Sequence, residues 1–326
     1  MALSNKNGRK SCAVDHKMRE KVGLGLAFSE KTPTFANRII HYQLSIMKKI
    51  FIALMAILIV VVLTASKPAR TTIFIIGDST AAQKDLSKGS PERGWGMALQ
   101  CFFDTVFIHV DNHAVNGRSS KSFIDEGRWD RVLSLMRPGD YVIIQFGHND
   151  EKPKADRHTD PGSTFDYNLA RFVRETREHG GIPVLMNAVV RRNFMVAAPA
   201  NADDEALRNT TFKDAPVMVE GDTLVDTHGL YAVVPRDVAK RMNCHFVDAN
   251  RITHDLEQSL GVEGSKKLHM WYAPGEHPAL PQGRQDNTHY NAYGAHQVAR
   301  RLAEALTVEI PLLQKYRTDD NPCLMP

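Results

Sequence analysis

The sequence has little cysteine, four in 326 residues. Cys12, Cys101, Cys244 and Cys323 are widely spaced and form no CxxC pair. That excludes a disulfide-dense scaffold and a zinc ribbon. Cys101 and Cys244 sit in partly apolar contexts and are expected to be small core residues. His113, His228 and His269 lack ligand-like spacing, so no metal site is expected. Basic charge is scarce where a nucleic-acid surface would need it. Residues 1–66 hold ten Lys and Arg against three Asp and Glu, whereas the remaining 260 residues hold 31 against 34. The net charge of +4 therefore comes from the N-terminus, and no basic face is left for nucleic acid. No internal repeat and no second-domain linker is present, and the length suits one large domain.

The long apolar run spans residues 50–65. Lys48-Lys49 precedes it, small residues Thr64, Ala65 and Ser66 end it, and Lys67-Pro68 follows. That order is the order of a secretory signal peptide. No Cys follows Ser66, so a lipid-anchored form is not supported. Met47 opens the unit. The expectation is an over-extended N-terminus over 1–46, a signal peptide over 47–66, and an exported protein, periplasmic or extracellular, with no membrane association once the signal is removed. The alternative is a signal anchor with a long basic cytoplasmic tail.

The remainder is organised around a short stretch. Residues 73–76, Ile-Phe-Ile-Ile, form an apolar, β-branched-rich run that reads as a strand buried on both faces. The run stops at Gly77-Asp78-Ser79. Further strands are predicted over 105–110, 141–146, 182–190 and 245–248, and helices over 95–103, 121–135, 164–179, 235–242, 252–260 and 293–306. Pro235 is placed in the first turn of its helix. This alternation predicts a three-layer α/β/α sandwich around a five-stranded parallel sheet. The weakly patterned segment 193–223 reads as a long inserted loop in the 67–314 domain, 266–287 as a loop rich in Gly, Pro and aromatics, and 315–326 as a loose tail.

Parallel strands deliver their C-terminal ends to one edge, where residues distant in sequence converge. Those ends offer Ser79, Gly117 beside Asn116, and Asn149; Asp286-Asn287-Thr288-His289 precedes the last helix. Acyl transfer by serine needs a nucleophile, a base, a group to orient the base, and donors for the oxyanion. Ser79, His289 and Asp286 supply the first three, provided that the Asp286–His289 segment makes one turn. The N–H groups of Ser79 and Gly117 and the side-chain amide of Asn149 supply the donors. Each piece also has an ordinary reading: a turn at Gly117, a cap at Asn149-Asp150, and surface positions for Asp286 and His289. His148 reads as structural, and Asp150 as a residue that orients Asn149.

Gly77-Asp78-Ser79, Gly117, Gly147-His148-Asn149-Asp150 and Asp286-Asn287-Thr288-His289 resemble the four blocks of the SGNH (GDSL-like) hydrolases. Within them the chain is most similar to rhamnogalacturonan acetylesterases, through Gly77-Asp78-Ser79-Thr80-Ala81, Asn116-Gly117-Arg118-Ser119-Ser120, the stretch from Phe146 to Pro153, Val190-Arg191-Arg192, Val225-Asp226-Thr227-His228-Gly229 and Asp286-Asn287-Thr288-His289-Tyr290. The resemblance runs over about 72–306. It implies a flavodoxin-like SGNH fold, no metal or organic cofactor, and hydrolysis of O-acetyl esters on pectic polysaccharide. The segment 193–223 looks longer than its counterpart in such relatives. Arg118 and Arg191-Arg192 either contact uronate carboxylates or form salt bridges. Trp271, Tyr272 and Tyr290 either stack on sugar faces or pack in the core. Esterases on acetylated xylan or lipid, and a non-catalytic polysaccharide-binding module, are the competing readings. The largely polar insertion argues against a lipase lid, and the intact Ser79, Asp286 and His289 argue against a binder.

Overall fold

The computed structural model of the chain describes residues 34–65, 70–194 and 221–319. It divides into Met1–Lys67 and Pro68–Pro326. In the second unit, strand β1 (Thr71–Gly77) is buried along all but its first residue. It pairs in parallel with β3 (Ile108–Asn112) on one side and β4 (Tyr141–Gln145) on the other. Strands β5 (Ile182–Met186) and β6 (His245–Val247) complete a five-stranded sheet in the order β3-β1-β4-β5-β6, every pair parallel.

The period of two in a strand explains the layers. Ile73 and Ile75 point into one core, with Trp95, Leu256 and the Val298, Leu302 and Leu306 face of the helix Ala292–Glu309. Phe74 and Ile76 point into the other, with Trp129, Phe172 and Val238. Helices therefore cover both faces, because the strand has no polar side to offer water. Burying one such side chain stabilises the fold by roughly 1.5–3 kcal/mol.

A second sheet was not foreseen. Strands β2 (Glu92–Arg93), β7 (His269–Tyr272) and β8 (Arg284–Asn291) form an antiparallel sheet in the order β2-β8-β7. The segment 266–287 is thus partly strand rather than loop. Its β8 reads Arg-Gln-Asp-Asn-Thr-His-Tyr-Asn, which carries no apolar alternation to announce a strand.

Several boundaries also differ. The helix expected over 121–135 is two helices, Ser120–Asp125 and Arg128–Leu135, broken where Gly127 takes φ 67°. Pro235 lies inside the helix Leu230–Arg241 rather than in its first turn. Cys101 is buried, as expected, but also disulfide-bonded. The start of the tail is docked, not loose: Tyr316 O accepts from Asp104 N–H (2.8 Å), and Thr318 N–H donates to Phe102 O (3.1 Å). Residues 320–326 and the bulk of the expected insertion, 195–220, lie outside the described residues. The ends of that insertion meet, Gly221 N–H donating to Phe194 O.

The first unit holds the helix Phe35–Ala65. Its Phe35–Ile57 portion is long and apolar enough to cross a membrane by length and composition. The helix begins upstream of Met47, so Met47 is not a structural boundary; residues 1–33 are outside the described ones.

Candidate active site

Ser79 stands directly beyond β1. Gly77 makes that exit possible: a Cβ there would lie 2.7 Å from Gln145 O on the neighbouring β4. Asp78 then folds the chain over, its Oδ1 accepting from Thr80 N–H (2.9 Å) and Thr80 Oγ1 (2.7 Å). Burial pushes the Asp78 carboxyl above its ordinary value, with those two donors only partly offsetting it.

His289 arrives from β8. Along β7 and β8, Met270 faces Asp286 while the adjacent His269 faces Tyr290, so residues 287–289 bulge out of the ladder. Asp286 shapes the bulge. Its Oδ1 accepts from Thr288 N–H (2.9 Å) and His289 N–H (3.0 Å). Its Oδ2 lies 2.9 Å from His289 Nδ1, and His289 Nε2 lies 2.8 Å from Ser79 Oγ. The single turn that the sequence required is therefore a strand bulge closed by its own aspartate. Burial pushes the Asp286 carboxyl up, but the His289 charge and hydrogen bonds from His289 and Thr288 outweigh it and leave it well below the carboxylate range. An ionised Asp286 accepts from Nδ1–H, which leaves Nε2 as the acceptor for the Ser79 hydroxyl.

Gly117 takes φ +74°, the left-handed region that favours glycine. The carbonyl of the preceding Asn116 accepts from Arg118 Nη1 (2.9 Å). Asn149 Nδ2 donates to Arg118 O (3.1 Å), which uses one of its two protons. Among the described residues, neither the Ser79 nor the Gly117 N–H has an acceptor.

Two of the expected sugar contacts are engaged elsewhere. Tyr290 is fully buried, its ring 5.0 Å from that of His269, so it presents no face to a sugar. Arg191 is buried against Glu151, Thr227 and His228, an internal ion-pair cluster. Arg192 is buried as well. Arg118 is half-exposed, its Nε shared between the two Glu126 oxygens at 3.1 Å. Trp271 is half-buried, its indole N–H donating to Asn287 Oδ1 (2.9 Å) and its ring approached by Arg192 (5.0 Å) and Lys266 (4.8 Å).

Three supporting residues gave no sequence signal of these roles. Arg192 grips the bulge: its N–H donates to Asn287 O (2.8 Å) and its Nη1 to Asn287 Oδ1 (3.1 Å). Asp150 is buried and accepts from Ser120 N–H (3.0 Å), Gly147 N–H (3.2 Å) and Thr159 Oγ1 (2.9 Å). It thus ties three loops together rather than orienting Asn149. Burial pushes its carboxyl up to about 6, despite the hydrogen bonds from Ser120 and Thr159. Lys84, in the loop before β2, reaches Ser79 O, Asn116 Oδ1 and Glu92. Among the described residues, neither ring nitrogen of the buried His148 has a hydrogen-bond partner, and burial, then the nearby His228 and Arg191 charges, holds it well below the ordinary histidine value. Among the described residues, no group of three or more His, Cys, Asp or Glu is placed to hold a metal ion.

The chain resembles known proteins over most of its length. A model of the GDSL-like lipase/acylhydrolase family matches residues 75–297, more than half of the chain. The rhamnogalacturonan acetylesterase RhgT of Bacillus subtilis is 35% identical over 235 residues, covering 72% of this chain and 88% of that protein. A rhamnogalacturonan acetylesterase of Emericella nidulans is 28% identical, covering 78% of this chain and 93% of that one. The crystal structure of YxiM from Bacillus subtilis shares the fold with a TM-score of 0.57 at 22% identity, over 74% of this chain and 57% of that one. With Ser79, His289 and Asp286 in one hydrogen-bonded line on a parallel α/β sheet, the chain belongs to the GDSL-like lipase/acylhydrolase family and is an esterase of the SGNH type.

Proposed function

We propose that this protein is an exported serine carbohydrate esterase that removes O-acetyl groups from the pectic polysaccharide rhamnogalacturonan. The observation that carries the serine mechanism is the line Ser79 Oγ to His289 Nε2 (2.8 Å) and His289 Nδ1 to Asp286 Oδ2 (2.9 Å). The substrate rests on the 35% identical relative that is named a rhamnogalacturonan acetylesterase. Export rests on the apolar run after Lys48-Lys49.

In this reading the Ser79 hydroxyl gives its proton to His289 Nε2 while Oγ bonds to the acetyl carbon. The oxyanion is held by the N–H groups of Ser79 and Gly117 and the second amide proton of Asn149. The intermediate collapses, and the sugar oxygen leaves with the proton from His289. Water attacks the acetyl-enzyme by the same route, its proton passing to Nε2 and then back to Ser79 as acetate departs. Asp286 stays ionised and stabilises the imidazolium. Arg118 and Trp271 remain in the proposal as rim contacts to the polysaccharide; Arg191 and Tyr290 do not.

Acetate release from acetylated rhamnogalacturonan and acetylated xylan, side by side, tests the proposal with residues 67–326 and the Ser79→Ala variant. Release from the pectic substrate that the variant abolishes is the expected result. Serine-dependent release from xylan alone would keep the mechanism and overturn the substrate. No serine-dependent release from either would overturn both.

A further inference from the structure

Lys84 is an unusual residue for a loop, since it is only 6% exposed. Lysine is almost never buried without partners, because an ammonium out of water needs compensating charge. Its Nζ donates to Ser79 O (2.5 Å) and to Asn116 Oδ1 (2.7 Å), and lies 2.9 Å from Glu92 Oε1. Glu92 stands on β2, and its other oxygen lies 3.3 Å from Arg284 Nη1 on β8. One buried cation therefore touches the nucleophile's own carbonyl and the loop before Gly117, and Glu92 links it to the sheet that carries His289.

We propose that Lys84 is a positioning residue for the oxyanion site, resting on the esterase reading above. The Gly117 N–H belongs to the same peptide as the Asn116 carbonyl. Arg118 Nη1 holds that carbonyl at 2.9 Å, and Lys84 holds the Asn116 side chain at 2.7 Å. The Arg118 carbonyl in turn receives Asn149 Nδ2 at 3.1 Å. A continuous polar line thus runs from Ser79 through Lys84 and Asn116 to Arg118 and Asn149, and it joins all three donors assigned to the oxyanion. Lys84 is its pivot, a group that bonds to both the Ser79 and the Asn116 segments. A neutral side chain could satisfy the two oxygens. The ammonium does so while anchored by Glu92, which fixes its position relative to β8 as well.

Such a residue acts on the transition state rather than on substrate binding. Donors preorganised around an oxyanion each contribute roughly 10²–10³ in kcat, and a displacement of about 1 Å costs on the order of 10². The test uses the full chain and 4-nitrophenyl acetate, with a boronic acid that forms a tetrahedral adduct on a serine hydroxyl as the second readout. Lys84→Met is expected to lower kcat by roughly 30- to 100-fold, with KM within about threefold and boronate affinity falling by the same factor as kcat/KM. Asn116→Ala removes the same tether without leaving a buried charge unpaired, and it is expected to show the same pattern at about tenfold. It decides the matter if Lys84→Met does not fold.

A residue that only stabilises the loop would lower the unfolding midpoint and leave kcat and boronate affinity per folded molecule unchanged. Kinetics within about threefold of the unmodified chain in a folded variant would overturn the proposal. So would a fall in kcat with boronate affinity intact. If the unmodified chain hydrolyses the ester through Ser79 and the variants match it, the positioning role alone fails. If the unmodified chain shows no Ser79-dependent hydrolysis, the esterase reading fails with it.

Discussion

Ser79 and His289 meet at 2.8 Å, yet they belong to two sheets built on different principles. The parallel sheet that ends at Ser79 is held by apolar burial: Ile73, Phe74, Ile75 and Ile76 are all essentially inaccessible and feed two separate cores. The small antiparallel sheet that carries Asp286 and His289 is held largely by polar contacts. Arg192 grips Asn287, Asp286 closes its own bulge, and a buried His269 Nε2 lies 2.9 Å from Glu257 Oε1. Ser79 thus sits at a strongly buried strand end, and His289 on a bulge whose shape depends on individual hydrogen bonds. Changes in the first sheet are expected to affect stability before chemistry. Changes in the second are expected to affect chemistry at smaller cost in stability.

The sharpest break of that contrast is Asp286→Asn. Asparagine keeps the size but donates where the carboxylate accepted, so the imidazole takes the wrong tautomer, and kcat is expected to fall by roughly 10⁴ with the fold intact. Steady-state hydrolysis with a parallel thermal melt checks it; an active, folded Asp286→Asn protein would break the assignment. Next in size is Asn149→Ala, expected to lower kcat by roughly 10²–10³ with little change in KM, read from the same assay.

Paired substitutions in the two sheets sharpen the comparison further. Ile75→Ala leaves a cavity between β1 and its covering helices and is expected to cost roughly 2–5 kcal/mol in urea unfolding, with kcat of the folded protein unchanged. Arg192→Met leaves Asn287 O with its backbone partner and Asn287 Oδ1 with the Trp271 N–H, but takes the guanidinium from Asn287 Oδ1, Ser265 Oγ and Val262 O, and is expected to cost roughly 2–4 kcal/mol. Unlike Ile75→Ala, it is expected to lower kcat about tenfold, because the bulge that sets His289 loses its grip. Equal kinetic effects from the two would erase the distinction.

The smallest effect concerns pH. The Asp150 carboxyl sits near 6 in the fold against an ordinary 3.8, so the native state holds its proton through that interval while the unfolded chain has lost it. Its contribution to stability is present below about pH 4, declines as pH rises to about 6, and is level above, a total of up to about 3 kcal/mol. Urea unfolding of the unmodified chain and Asp150→Asn at several pH values reads this directly. The stability difference in favour of the unmodified chain is expected to shrink as pH rises, and a difference that grows would contradict the burial argument.

How far the sequence spoke follows the same divide. Residues 73–76 and 141–144 are apolar throughout because both faces are covered, and that pattern is visible without a structure. Strand β8 is polar along most of its length, so periodicity reads it as a loop. Spacing and chemistry single out Ser79, Asp286 and His289 as a group, but the bulge that brings Asp286 and His289 to Ser79 depends on pairing with β7. Lys84 was invisible for another reason. A lysine in a loop rich in Gly, Ser and Pro reads as solvated, and only the approach of Asn116 and Glu92 in space buries it. The burial of Tyr290 and Arg191 was equally a matter of neighbours distant in sequence.

The most direct measurement is the site of the covalent intermediate. The protein is mixed with acetylated rhamnogalacturonan, quenched in acid within milliseconds, digested, and analysed by peptide mass spectrometry. A single acetyl group on Ser79, absent in Ser79→Ala and formed far more slowly in His289→Ala, is the predicted result. Steady release of acetate with no acetyl group on Ser79, undiminished in Ser79→Ala, would contradict it.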